Sequence, residues 1–195
     1  MTTMNFRDGS NVTIRSTDSE NLVEVATRIK TLRESNTAAS TAHSRAIQAI
    51  NNDPSLSDQG KKERIDALES TRATERKAGI ATEKQIITTK ISELERRLDG
   101  YVGYTSENIM AFRDAQDRAE NIDDPDKAAT VMARAIRTND RTLAHALYRR
   151  AVENRWNDAS QAFAADNPAV AQLVHDVQKL HELHDASFNR AVAYM

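Results

Sequence analysis

The chain has 195 residues, a formal charge of −2 and no cysteine, which excludes disulfides, thiolate zinc sites and a global field drawing it to nucleic acid. With 39% hydrophobic and 29% charged residues but only 5 glycines, 3 prolines and 5% aromatics, it reads as an all-α protein of one or two modest domains. No apolar run approaches the roughly 20 residues that cross a bilayer, and the polar start lacks the apolar core of a signal peptide, so a soluble intracellular chain is expected.

Residues 1–17 mix Thr, Ser, Asn, Asp and Gly and read as a flexible N-terminal arm. Within it Val12-Thr13-Ile14 alternates briefly, so Val12 and Ile14 are candidates for pairing with the strand edge of a partner; a frayed terminus is the plainer reading.

Residues 18–99 carry the strongest pattern. Asp18 or Ser19 caps a helix in which Leu22, Val25, Ile29, Leu32, Asn36, Ala39, His43, Ala46 and Ile50 recur at alternating spacings of three and four. After Asn52, Asp53 and Pro54, Ser57 or Asp58 opens a second helix with Ile65, Leu68, Arg72, Gly79, Ile87, Ile91 and Leu94 on its seam. Folded back at that turn, Ile50 meets Ile65, Ile47 meets Leu68, His43 meets Arg72, Asn36 meets Gly79 and Ile29 meets Ile87. Each pair of numbers has about the same sum, as the contacts of a long antiparallel helical hairpin should. Asn36 and His43 read as register-setting polar contacts. The small residues Thr37-Ala38-Ala39-Ser40-Thr41-Ala42 allow either close approach of the second helix or a weak middle that opens. Lys61, Lys62 and Arg64 near the start of the second helix oppose its dipole, which calls for an acidic neighbour or a frayed first turn.

Gly100 reads as the C-cap of the second helix, and residues 100–104 (Gly-Tyr-Val-Gly-Tyr) as a hinge, unless the tyrosines pin the junction. Residues 105–195 then form a compact bundle of shorter helices. Ser106 precedes a helix with Ile109, Phe112 and Ala119. Asp124-Pro125 is a cap followed by proline, ahead of Val131, Met132, Ala135 and Ile136. Asn139 or Asp140 opens a helix with Leu143, Leu147, Ala151 and Val152, and Trp156 and Phe163 mark a shorter piece. Asn167-Pro168 repeats the cap-then-proline signal before Leu173, Val177, Leu180 and His184.

Chemistry is sparse along this path. Arg134, Arg137, Arg141, Arg149 and Arg150 cluster with few opposing charges, so they are candidate partner-binding residues for phosphates or an acidic protein. The acidic last forty residues offer an internal match instead. His181 and His184, with Asp185, share a helical face, but their spacing is not that of a zinc hydrolase and surface histidines are the better account. Carboxylates alternate with Lys and Arg as on solvated faces. With no glycine-rich phosphate loop and no nucleophile constellation, no catalytic, cofactor or metal-binding residues are assigned and an enzyme is not expected.

Two segments carry a resemblance. The run Asn52-Asp53-Pro54-Ser55-Leu56-Ser57-Asp58-Gln59-Gly60-Lys61 is a turn entering a charged helix. From Ala144 to Pro168, Ala146-Leu147-Tyr148-Arg149-Arg150-Ala151 is followed by Arg155-Trp156 and Ala162-Phe163. Both resemble small helical proteins from the virion-structure regions of actinobacterial tailed phages and prophages. The resemblance implies a non-enzymatic structural or assembly protein at the head or neck of a phage particle. Its partners would be other virion proteins or copies of itself, as a homo-oligomer, and its location the infected host's cytoplasm, the virion or both. The alternative is a helical module that brings the arginine-rich face to nucleic acid or an acidic protein; no membrane partner is expected. A Trp-x-Gly signature is missing at the hairpin turn, which excludes the small secreted helical hairpins of that kind.

Overall fold

A computed structural model describes residues 5–7, 12–101 and 109–195. The fold is all-α apart from a two-stranded antiparallel ribbon, in which β1 (Asn5–Arg7) pairs with β2 (Thr13–Arg15) and Phe6 lies opposite Ile14. Among the described residues, eight helices follow. They are α1 (Glu20–Asn52), α2 (Asp58–Tyr101), α3 (Ile109–Glu120), α4 (Pro125–Arg137), α5 (Arg141–Asn154), α6 (Asn157–Asp166), α7 (Pro168–Asp185) and α8 (Ser187–Val192). The chain forms two compact units, Met1–Lys90 with Leu180–Met195, and Ile91–Lys179. Their limits fall inside α2 and α7. Gly100 and Tyr101 continue α2, because the buried Leu94 and Leu98 carry the helix past a glycine whose cost relative to alanine is only about 1 kcal/mol. The rest of the expected hinge (Val102, Gly103 and Tyr104) and Ser106 lie outside the described residues.

Val12 and Ile14 are buried, and β2 lies against α1 of the same unit. Alternation along an extended segment puts these two side chains on one face, and that face is covered by the chain's own core. After β2 the backbone turns: the Asp18 carboxylate accepts from Arg15 N–H at 2.9 Å, and Asp18 N–H donates to Arg15 O. Ser19 then caps α1, its hydroxyl accepting from Leu22 N–H at 3.3 Å.

In the hairpin, full burial on α1 is confined to Leu22, Val25, Ala26 and Ile29. Farther out, a stripe of half-buried residues, Asn36, Ala39, Ser40, His43, Ala46, Ile47 and Ile50, continues the same face to the turn. The antiparallel pairing holds, with local shifts. His43 meets Glu69 at 3.2 Å, not Arg72. Arg72 is buried and its Nη2 donates instead to Asn36 O, Asn36 Oδ1 and Ser40 Oγ. The small residues of mid-α1 thus receive a guanidinium. At the turn, Asp53 Oδ1 accepts from Ser55 N–H and Oγ–H, and these bonds hold its carboxyl below the usual range. Ser57 accepts from Gly60 N–H, and Lys61 Nζ donates to Asn51 O at 2.8 Å. That contact resolves the misplaced lysine. It serves the negative C-terminal end of α1 rather than an acidic side chain.

The end of the chain completes this unit. Tyr194 covers Gly79, where an added Cβ would stand 2.5 Å from Tyr194 Cε1, and Asn36 Nδ2 donates to Ala193 O. Tyr194, rather than Asn36, therefore faces Gly79. Beneath it lies Glu83, 0% exposed. Its carboxylate accepts from Arg33 Nε and Nη2 at 2.9 and 2.7 Å, from Arg190 Nε at 3.3 Å and from Tyr194 Oη at 3.0 Å. Arg190 Nη2 also donates to the Leu183 and His184 carbonyls near the end of α7. One carboxylate thereby joins α1, α2 and α8. For Gly79→Ala the helix-propensity gain of about 1 kcal/mol is opposed by overpacking that costs about 1–3 kcal/mol. Thermal melts should show net destabilisation in the parent chain and a net gain in a Tyr194→Ala background. A gain in both backgrounds would mean that Tyr194 does not occupy that space.

The Ile91–Lys179 unit is organised around α5, against which α3, α4 and α6 pack. Leu143, Ala144, His145, Ala146, Leu147, Tyr148 and Ala151 are all buried, a run too continuous for a one-sided helix. Asp124 caps α4 through Lys127 N–H with Pro125 in the first turn, and Asp140 caps α5 through Leu143 N–H. Between them Asn139 takes φ 55°, and Asp140 N–H returns to Ala135 O, ending α4 by a left-handed cap. Asn167 Nδ2 donates back to Phe163 O at 2.9 Å, closing α6 ahead of Pro168.

Candidate functional site

The arginines expected to bind a partner divide into two sets. Arg149 lies 3.5 Å from Asp99 Oδ1. Arg150 donates from Nε to Ile122 O at 3.2 Å, and its guanidinium sits 5.8 Å from the centre of the Trp156 ring. Both are occupied inside their own unit, tying α5 to the end of α3 and to the start of α6. The acidic match for Arg149 comes from α2, not from the last forty residues. Arg134, Arg137 and Arg141 are exposed, with no carboxylate within salt-bridge distance among the described residues. Arg141 Nε reaches only Asn139 Oδ1, at 3.4 Å. On α7, His184 Nδ1 lies 3.4 Å from Asp185 Oδ1, and no group of three or more His, Asp and Glu residues among those described is arranged to hold a metal ion.

The densest chemistry lies where no motif pointed. His145, 1% exposed, sits among the rings of Phe112, Tyr148 and Phe163 at centroid distances of 6.1, 6.5 and 6.3 Å, with Tyr148 stacked on Phe163. Its Nε2 is 3.4 Å from Asp99 Oδ1, the same oxygen that faces Arg149. Burial lowers the imidazole to about 4, with Arg149 adding to the effect, so the ring is neutral near pH 7. Burial likewise raises the Asp99 carboxyl and drives the Tyr148 phenol up. Asp99, His145, Tyr148 and Arg149 line a cavity of about 10 Å³ with Glu95, Leu98, Val152 and Val177. A carboxylate beside a neutral imidazole is an arrangement that orients a general base in an open cleft. Here the space beside it is too small for an organic substrate.

The only sequence signal for this cluster is a histidine inside the apolar run of α5. Asp99 is 46 positions earlier (145 less 99) and in another helix, so their meeting was not readable from spacing.

A pH dependence follows from the buried imidazole. The ordinary value is about 6.5 in the unfolded chain, against about 4 in the folded protein, so between these limits the unfolded state binds more protons. Stability should therefore fall as pH drops from about 6.5 to 4, by up to roughly 3 kcal/mol. Asp99, whose carboxyl is raised, opposes this at the acidic end of the window. Denaturant unfolding at pH 7 and pH 4.5 measures the slope, and His145→Phe should reduce it. An unchanged slope in a folded His145→Phe variant would assign the pH response to other groups.

Comparison with known families, curated proteins and solved structures returns no match for this chain.

Proposed function

We propose that this chain is a non-enzymatic structural or assembly protein of a tailed-phage particle, working through protein surfaces at the head or neck and in several copies. The outer hairpin carries the reading. From Thr37 to Asn52, about 24 Å of helix at 1.5 Å per residue, α1 has no fully buried residue and its cross-helix hydrogen bonds go to α2 alone. Two helices sharing a half-polar seam make an arm that presents surface on every side and encloses nothing. The α8 face opposite Arg190 and Tyr194 adds to this: Phe188, Val192 and Met195 follow at spacings of four and three and are 77%, 50% and 81% exposed. Among the described residues no helix is long and apolar enough to cross a membrane. The resemblance of the Asn52–Lys61 turn and the Ala144–Pro168 segment to virion-region proteins supplies the phage context.

Disrupting the coding sequence in the phage or prophage that carries it should leave genome replication intact while stopping or misdirecting particle assembly. Normal yields of normal particles would overturn the reading. A second reading rests on the exposed Arg134, Arg137 and Arg141: a module binding nucleic acid or an acidic protein. If it holds, the parent is retained on nucleic acid at physiological salt, and replacing all three by Gln abolishes retention and flattens its salt dependence. No retention of the parent is the expected result.

A further inference from the structure

One residue, Ala186, separates α7 from α8. Its φ of −71° is already helical, so the break lies in its ψ of 50°, about 90° from the helical value near −42°. No local breaker imposes that angle. Neither glycine nor proline follows Pro168, and alanine is the best helix former and offers no capping side chain. At Ser19, Asp124 and Asp140, by contrast, a side chain caps the helix that follows.

The break is held from outside. In a continuous helix the carbonyls of Leu183 and His184 accept from the N–H groups of Ser187 and Phe188. Here both accept from Arg190 Nη2, at 2.8 and 2.9 Å, while Arg190 Nε donates to Glu83 at 3.3 Å. Farther on, Asn36 Nδ2 donates to Ala193 O at 3.3 Å, and Tyr194 donates to Glu83 at 3.0 Å with its ring against Gly79. Apolar burial on α8 itself adds little: its one buried residue is Arg190, and Phe188 and Val192 are exposed.

We propose that residues 187–195 are a strap that closes over the hairpin and releases from it as one piece, α7 and α8 then joining into a single helix through Ala186. What Arg190 supplies to the two carbonyls in the closed form, the backbone supplies in the open one. Opening does not strand the carboxylate beneath, because Glu83 keeps the two bonds from Arg33. It uncovers the slot beside Gly79 and the Glu83 oxygens that Arg190 and Tyr194 occupy, between α1 and α2.

Solution NMR of the full chain tests this through the backbone of residues 182–192. Arg190→Met keeps a long helix-forming side chain and loses every guanidinium bond. In it Ala186 should take helical Cα and carbonyl shifts, with Hα-to-amide contacts from His184 to Ser187 and from Asp185 to Phe188. The Tyr194 ring should leave Gly79, whose amide shift reports the move. Random-coil shifts from Ala186 onward would overturn the proposal, since the strap would then merely fray. An unchanged break with Tyr194 still on Gly79 would overturn it too, since Arg190 would not be what holds the break. Should Arg190→Met fail to fold, saturation-transfer measurements on the parent chain decide instead. A minor state with helical shifts at Ala186 is expected, and either no minor state or one with random-coil shifts there counts against the strap.

Discussion

Glu83→Ala should lower the stability of the folded chain by about 3–5 kcal/mol, the range for removing one partner of a buried ion pair. The reason is what the substitution leaves behind. Arg33 and Arg190 both point their guanidinium groups at this carboxylate, and Arg190 is 4% exposed. Without Glu83 they repel one another in a poorly solvated space, and the Tyr194 hydroxyl loses its acceptor. The damage should be local first. Residues 187–195 are held to the hairpin by Arg190, Tyr194 and the Asn36 contact to Ala193, so their amides should lose hydrogen-exchange protection before the rest of the unit. Glu83→Gln keeps the shape and two lone pairs but loses the charge, and should fall between the parent and Glu83→Ala. Denaturant midpoints at constant m-value measure all three. A loss below about 0.5 kcal/mol for Glu83→Ala, the scale of an ordinary surface change, would remove Glu83 from the interior.

Ile87→Asp is the second large effect. Ile29 and Ile87 are both fully buried, on the two helices of the hairpin within one unit. An aspartate there gives up the apolar transfer energy of an isoleucine and brings in a charge with no counter-ion designed for it. Destabilisation of roughly 3–5 kcal/mol is expected, and Ile29→Asp should match it. Ala39→Ser lies where the seam is only half-buried and should cost less than about 1 kcal/mol. Thermal melts that rank the three variants equal would show that the apolar section of the hairpin is not where the two isoleucines stand.

Reading the hairpin needed no tertiary information. Spacings of three and four repeat over many turns, and a turn of Asn, Asp and Pro separates two long stretches with matching periods. Such a pattern has few other solutions, since a helix with one apolar stripe must bury it against another. The cap at Asp124 and, to within one residue, those at Ser19 and Asp140 are legible for a similar reason: a side chain that satisfies the N–H three residues on is a local device.

The contacts between distant residues have the opposite character. Glu83 stands four residues from both Gly79 and Ile87, on the hairpin seam, yet a charge at such a position reads as solvated until two arginines and a tyrosine arrive from distant parts of the chain. Arg72 bonds Asn36 and Ser40 rather than His43 because a long side chain reaches about one to two turns along the facing helix. Gly100 looked like a cap because a glycine's cost in a helix is small enough for buried neighbours to override. Alternation says that Val12 and Ile14 share a face, but not what covers it. Periodicity and capping are properties of a dozen neighbouring residues, so this chain's helices were determined by its sequence alone. Which charges are buried, where the chain's end docks, and the meeting of Asp99 with His145 depend on residues far apart in the chain, and only the tertiary structure decided them.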